Sequence, residues 1–216
     1  MLNMFRKYPY PSCIYVLLDK LTHELSVFFC SSFIRFFLRH HRCSVGSNLS
    51  CDGIPRIRMQ RPRSINIGQN VTLNCRKMSN LAGISQPSIL QCINEGRISL
   101  GDGSGLSGAI LSSRSHISLG QRCNLGVNAR VYDHDFHSLN PSHRTDRRTD
   151  QSHTKSAPIE IGDDVLVGAN VIILKGVTIG PRSVVAAGSV VTKGNYPADS
   201  LIGGNPAKVI RQLGNA

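Results

Sequence analysis

Six branched aliphatic residues stand at strict six-residue intervals near the end of the chain: Ile161, Val167, Ile173, Ile179, Val185 and Val191. Glycine follows at 162, 168 and 180, and Ala186 follows Val185. Four positions after each aliphatic stand Val165, Val171, Val177, Ser183, Ser189 and Asn195, of which all but Asn195 are small or β-branched. A helix requires an apolar period near 3.6 and a half-buried strand a period of 2. A period of six kept over roughly thirty residues fits neither. It fits short strands broken by regular turns, each turn returning the next aliphatic above the same spot, which is the pattern of a hexapeptide parallel β-helix. Backbone groups then pair between coils, and Ile, Val and Leu form buried columns. Gly, Asn and Asp take the corners, where permissive dihedrals are needed.

The register extends upstream. Leu119, Leu125 and Val131 keep the six-residue step, whereas Leu100 and Leu106 are one residue out of phase with them, which predicts a bulge or loosened corner. "INIGQNVTL" (65–73) reads as an earlier coil, and the lapse between Leu73 and Ile98 as a loop or irregular coil. Val131 and Ile161 are thirty residues apart, again in register. The Ser-, Thr-, Arg- and His-rich stretch 138–158 between them is therefore an extruded loop, and loops this long are functional or disordered. Residues 14 to 40 place apolar side chains at three- and four-residue steps and read as helix. That helix is either a cap on the open end of the solenoid or a basic amphipathic segment on a membrane surface, with Arg35, Arg39 and Arg42 at the headgroups. The expected organisation is a helical, basic segment over 1–55, a β-helix over 56–211 with its loop at 138–158, and a tail over 212–216.

Charge and cysteine content narrow the classes. The formal charge is +12. Residues 1–63 hold ten Lys/Arg against three Asp/Glu, and the rest fifteen against ten. An anionic membrane, glycan or phosphate-bearing cofactor suits that excess. No nucleic-acid motif occurs, so no nucleic-acid partner is expected. Seven cysteines at irregular spacing, with no CxxC, argue against a disulfide framework or zinc cluster and for a reducing compartment. Asp19, Lys20, His23 and Glu24 interrupt any signal-peptide core. The run "LSVFFCSSFIRFFL" (25–38) is short for an ordinary transmembrane span. The expected place is the cytoplasm, at the inner face of the cytoplasmic membrane if the helix binds lipid.

The segment from Ile159 to Gly194, followed by "GGNPAKVIRQL" (203–213), resembles the C-terminal half of the hexapeptide-repeat acyltransferases. "GLSGAI" (105–110) and "NARVYDHDFHSLN" (128–140) are similar to the subgroup that O-acetylates polysaccharide and lipopolysaccharide. The resemblance covers about residues 60 to 211. It implies a left-handed coil, acetyl-CoA as acetyl donor, no metal, a glycan or sugar acceptor, and a homotrimer with sites between neighbours.

It also implies a histidine general base at the root of the extruded loop. A sugar hydroxyl is a weak nucleophile near neutral pH, and an imidazole can take its proton and pass it to the departing thiolate. The subgroup pattern Asp-x-His places the base on His137, after Asp135, with His134 as competitor. In an extended segment Asp133, Asp135 and His137 share one face, so either carboxylate is a candidate partner for the ring. Asn128 is a candidate hydrogen-bonding residue. Ala169, Ala187, Thr192 and Lys193 match pantetheine-contacting positions, and Lys208 and Arg211 match basic positions near the nucleotide phosphates. Leu166 stands where many relatives have Trp, which removes a stacking wall. Other readings stay open: an acetyltransferase for an amino-sugar nucleotide or small acceptor, a zinc enzyme of the carbonic-anhydrase type using some of His134, His137, His143 and His153, or a noncatalytic scaffold.

Overall fold

A computed structural model of the protein describes residues 12–214. Twenty-one short strands form three sheets of seven, eight and six strands, and every pair but the last is parallel. The sheets are the three sides of a left-handed β-helix. The six-residue step moves the chain from one side to the next, and three steps complete a coil. Ile161 therefore lies beside Ile179, Val167 beside Val185, and Ile173 beside Val191. This corrects the expectation that each turn stacks the next aliphatic on the last. Stacking joins residues eighteen apart, because a closed three-sided coil needs three corners before it returns to its starting side. All six side chains are buried.

The corners require left-handed backbone. At the corner between the seven- and eight-stranded sheets, Asn48, Asn70, Arg122, Asp164, Arg182 and Asp199 all have φ between 54° and 58°. Their side chains bind along the stack. Asn48 Nδ2 donates to Asn70 Oδ1 at 3.0 Å, Arg122 Nε to Asp164 Oδ1 at 2.6 Å, and Arg182 Nε to Asp199 Oδ1 at 2.7 Å. Positive φ is tolerated by Asn and Asp and is costly for longer residues. At Arg122 and Arg182 a bidentate carboxylate offsets that cost.

The solenoid begins earlier than residue 56. Ser44–Val45 and Ser50–Asp52 already pair with Ile65–Ile67 and Thr72–Asn74. Helix α1, Ser12–His40, lies against that first coil. Ile34 and Leu38 are buried on it, and the backbone N–H of Cys51 donates to Ser31 Oγ at 2.8 Å. His23 Nδ1 meets Asp52 Oδ2 at 3.0 Å. Cys43 N–H donates to the Leu38 carbonyl and Arg42 takes φ 58°, so a left-handed cap ends the helix. The helix covers the end of the solenoid with one stripe only. Leu18, Phe28, Phe29, Phe33 and Phe36 are all more than half exposed. The helix is also longer than the fourteen-residue apolar run. Over Ile14–His40 it has the length and composition to cross a membrane, with 17% of its most apolar window buried in the protein.

Both pattern lapses are insertions at corners. Residues 75–88 leave after Thr72–Asn74, and the coil resumes at Ile89–Cys92. Residues 133–158 leave after Arg130–Tyr132, and the coil resumes at Ile159–Ile161 in register with Ile117–Leu119. At the opposite end a hairpin, Ser200–Gly204 with Ala207–Gln212, closes the solenoid. The cysteines with described side chains are all free, and burial pushes the Cys51 and Cys92 thiols up to about 12.

Ile173, fully buried, packs between neighbouring coils, so Ile173→Ala is expected to lower the unfolding free energy in urea by about 2–5 kcal/mol. Leu166, 48% exposed on the same coil, is expected to tolerate alanine within about 0.5 kcal/mol.

Candidate active site

The segment from Asp133 to Leu139 leaves the coil in irregular backbone, with one isolated bridge between His134 and Ser156. It is not the extended segment assumed from sequence, so its acidic and basic side chains do not alternate between two faces. Asp133 has no exposed surface. Its carboxylate accepts from Ser113 Oγ at 2.6 Å, Arg114 N–H at 2.7 Å and Ser115 N–H at 2.9 Å. These three residues form the bulged corner announced by the phase slip before Leu119. Asp133 thus holds a turn of the solenoid and does not touch His137.

His134 sits on the same carboxylate, Nδ1 to Asp133 Oδ1 at 3.1 Å. Its side chain is 2% exposed, and its Nε2 has no hydrogen-bond partner in the protein. The Phe136 ring covers it at 4.9 Å between centroids. Asp135 turns the other way and binds Lys175 Nζ through Oδ1.

His137 differs from His134 in both exposure and partner. Its side chain is 71% exposed, and its Nδ1 lies 2.6 Å from Asp150 Oδ2. Asp150 lies on a short helix α2, Arg147–His153, inside the extruded loop. Its other oxygen accepts the Ser138 N–H at 2.6 Å. The His137 contact, then the Ser138 N–H, hold the Asp150 carboxyl below the usual carboxylate range. A carboxylate on Nδ1 leaves Nε2 as the ring's basic nitrogen, facing outward from the loop. The contact falls to Asp150 and not to Asp135 or Asp133, the candidate carboxylates nearer in sequence. The usable signal was Asp146 ahead of Arg-Arg-Thr: its side chain accepts from Thr149 N–H as a helix N-cap. That marks the helix, while the thirteen-residue reach back to His137 depends on the loop's chain reversal.

The loop is folded. Pro141–Thr145 forms a 3-10 turn capped by Asn140, and Arg144 Nη1 donates to the Ser138 carbonyl at 2.7 Å. The His143 and His153 rings lie 3.8 Å apart between centroids, tilted by 33°. Among the described residues no three His, Cys, Asp or Glu side chains converge as a metal cage would require.

The remaining site candidates fall into two groups. Asn128, Ala169 and Ala187 lie at the corner that precedes the six-stranded sheet. The Gly188 N–H donates to the Ala169 carbonyl there, joining successive coils. Asn128 Oδ1 accepts from the Ser85 N–H and hydroxyl, and its Nδ2 donates to the Gly83 carbonyl, so it pins the 75–88 insertion. Lys208 pairs with Gly203 in the terminal hairpin, near Ala186, and Arg211 is exposed on the same strand. Thr192 and Lys193 lie at the far edge of that sheet. There a Cβ on Gly176 would meet the Lys193 side chain at 3.1 Å and Ala157, at the loop root, at 3.5 Å. The strand Ile172–Leu174 and its flanks separate the two edges within one chain, roughly 15 Å at about 3.3 Å per residue. Lys193 and the histidines share one edge. Ala169, Ala187 and Lys208 share the other.

Residues 158–193 match the hexapeptide repeat of succinyl-transferases. A Staphylococcus aureus (strain Mu50) protein, named only provisionally as an acetyltransferase, is 47% identical over 79 residues, which span 37% of each chain. The fold matches a hexapeptide-repeat acetyltransferase of Vibrio cholerae solved with acetyl-CoA (TM-score 0.58, 24% identity, 96% of this chain and 92% of that one). It also matches an N-acyltransferase of Bacillus cereus solved with dTDP and 3-hydroxybutyryl-CoA (TM-score 0.61, 22% identity, 79% and 82%). A maltose O-acetyltransferase of Clostridium difficile 630 shares it at TM-score 0.51 and 23% identity, over 88% of this chain and 87% of that one.

Two measurements test the loop geometry. Asp133→Ala leaves the Arg114 and Ser115 N–H groups without their acceptor and is expected to cost roughly 2–5 kcal/mol in urea unfolding. Asp150 has a depressed carboxyl in the folded loop, so its stabilisation is present above the ordinary carboxylate range and is lost as pH falls through the folded value. Hydrogen exchange at Ser138 is therefore expected to accelerate selectively below about pH 4 in the wild type. In Asp150→Asn this acid-dependent step is expected to disappear.

Proposed function

We propose that this chain is a hexapeptide-repeat acyltransferase that moves an acetyl group from acetyl-CoA to a hydroxyl of a bacterial surface glycan or its precursor. The observation that carries this reading is the exposed His137 ring held at Nδ1 by Asp150. Acetyl-CoA supplies an activated acyl group. His137 Nε2 takes the proton of the acceptor hydroxyl as it attacks the thioester carbonyl. The same nitrogen then returns that proton to the leaving thiolate, so transfer is direct and the enzyme is regenerated. Asp150 holds the tautomer and steadies the imidazolium that forms. His134, buried and already bound to Asp133, is the poorer base because its free nitrogen is closed off from solvent.

The corner at Ala169 and Ala187 fits a narrow pantetheine chain, since neither side chain projects beyond a methyl group. Lys208 and Arg211 would meet the nucleotide phosphates, and Thr192 and Lys193 the loop side of the donor. A homotrimer is part of the proposal, since it would bring the histidine edge of one copy beside the alanine edge of another. In a ring, the loop of one copy meets the alanine corner of the next. The dTDP-bound neighbour of the same fold favours a second reading, in which the acceptor is an amino-sugar nucleotide.

Free thiol release from acetyl-CoA with candidate glycans tests the reaction. His137→Ala is expected to reduce turnover by roughly 10²- to 10⁴-fold with CoA binding retained. Near wild-type turnover in His137→Ala, with loss in His134→Ala, would move the base to His134. Absence of CoA binding in calorimetry would leave a noncatalytic scaffold. Transfer to an amino-sugar nucleotide in preference to hydroxyl acceptors would establish the second reading.

Localisation at an anionic membrane surface is part of the same proposal. It is supported by the exposed Phe28, Phe29, Phe33 and Phe36 of α1, with Arg35 and Arg39 among them. Sedimentation with vesicles containing phosphatidylglycerol is expected to pull down the wild type. A Phe29→Ser, Phe33→Ser, Phe36→Ser variant is expected to stay in the supernatant.

A further inference from the structure

His134 is the one histidine of the loop root that the proposed proton transfer does not use. Its ring lines a small cleft of ≈ 130 Å³, bounded also by Gln60, Asn94, Arg114, Phe136 and Gln151. Two walls of this cleft adjoin the dyad in sequence. Phe136 immediately precedes His137, and Gln151 immediately follows Asp150. The Arg114 guanidinium is fixed to this wall, Nη2 donating to the Gln151 carbonyl at 3.1 Å. Its backbone N–H is held independently by Asp133. The cleft is thus a built feature, framed by the solenoid corner on one side and the loop helix on the other.

Its electrostatics are one-sided. Arg114 also lines a wider, open cleft over the seven-stranded sheet, together with Arg97, His116 and Glu95. Arg97 and Glu95 continue into a third, bordered by Arg61 and Arg63. Glu95 is already paired with Arg61. Among the described residues no carboxylate pairs with Arg63, Arg97 or Arg114. Arg97 borders the third and the wider of these clefts and Arg114 the wider and the small one, so neighbouring clefts share a basic wall and the small one is lined by His134. There the buried Nε2 has no protein partner, although a buried polar atom ordinarily finds one.

We propose that the cleft between His134 and Arg114 binds an anionic group of the acceptor, a carboxylate or a phosphate, and so sets the acceptor hydroxyl against His137. The proposal rests on the acyl-transfer reading above. The Arg114 guanidinium supplies charge-assisted hydrogen bonds to the anion, and the buried His134 ring forms the closed end of the cleft against which the sugar ring rests. Arg97 and Arg63 extend the attraction along the path of a longer acidic glycan. His134 and Arg114 act here as positioning residues for the acceptor.

Calorimetry of the full chain with CoA present tests this with three probes: sodium glucuronate, glucose 1-phosphate and glucose. The expected result is that one of the two acids binds at least about tenfold more tightly than glucose. Which acid binds identifies carboxylate or phosphate as the group. Arg114→Gln is expected to abolish the preference and leave CoA affinity unchanged. Equal binding of the three probes to the wild type, or a preference that survives Arg114→Gln, overturns the proposal. Should Arg114→Gln unfold, the wild type carries the test through the ¹⁵N–¹H resonance of Arg114 Nε. That resonance is expected to shift with the preferred acid and not with glucose, and its indifference to both acids overturns the proposal. Anion binding without CoA binding or thiol release would remove the acyl-transfer reading and keep the cleft.

Discussion

Parallel pairing of each coil with the coils on either side is the constraint on which everything else in this protein rests. Strands on the three sides pair with the coil above and below, about eighteen to twenty-two residues away where no insertion intervenes and up to 42 across the extruded loop, and a one-residue slip would turn the buried face outward. The chain can gain or lose residues only where it is not paired, at the corners. Both long insertions, 75–88 and 133–158, leave and return at corners, and the ladder resumes beside the same partners. The solenoid therefore acts as a rigid rail from which functional segments are hung at fixed places.

Two histidines three residues apart, each held by a different carboxylate, illustrate how burial divides chemical work. Asp133 and His134 are enclosed, and Asp133 accepts two backbone N–H groups and a hydroxyl that define a turn. His137 and Asp150 lie outside the coil, with the ring open to an incoming group. The same residue types serve architecture in one case and present an exposed, carboxylate-held imidazole in the other. The difference lies in what the carboxylate must satisfy. Asp133 is committed to the solenoid, whereas Asp150 is held in a loop by the ring it orients.

The sheet that carries the extruded loop also organises the wider site. Its two edges hold different parts of the proposed machinery, the histidines at one and the small-residue corner at the other. The basic path from Arg63 through Arg97 to Arg114 reaches the histidine edge from the adjacent side. Helix α1 closes the far end with a narrow stripe, Ser31, Ile34 and Leu38, and keeps its aromatic face outward. The proposed donor corner, the proposed acceptor path and the aromatic face of α1 thus lie on different parts of the solenoid.

The sequence by itself determined the coil. Six aliphatics in unbroken register admit no helix and no ordinary strand, and the two lapses in that register marked both insertions. It also marked His137 and His134 as the histidines to weigh, because they sit where the register stops. The tertiary structure decided which carboxylate each would meet. Asp133 and Asp135 are nearer His137 in sequence, yet the corner at Ser113–Ser115 takes the first and Lys175 takes the second. Asp150 reaches the ring only because the loop folds back as a helix, a contact that no local period encodes. The same holds for Asn128, absorbed by the 83–85 backbone, and for the cleft at Arg114, whose walls come from three separate coils and the loop. Periodicity reports which residues face inward. Pairings between insertions depend on where a rigid scaffold releases and recaptures the chain.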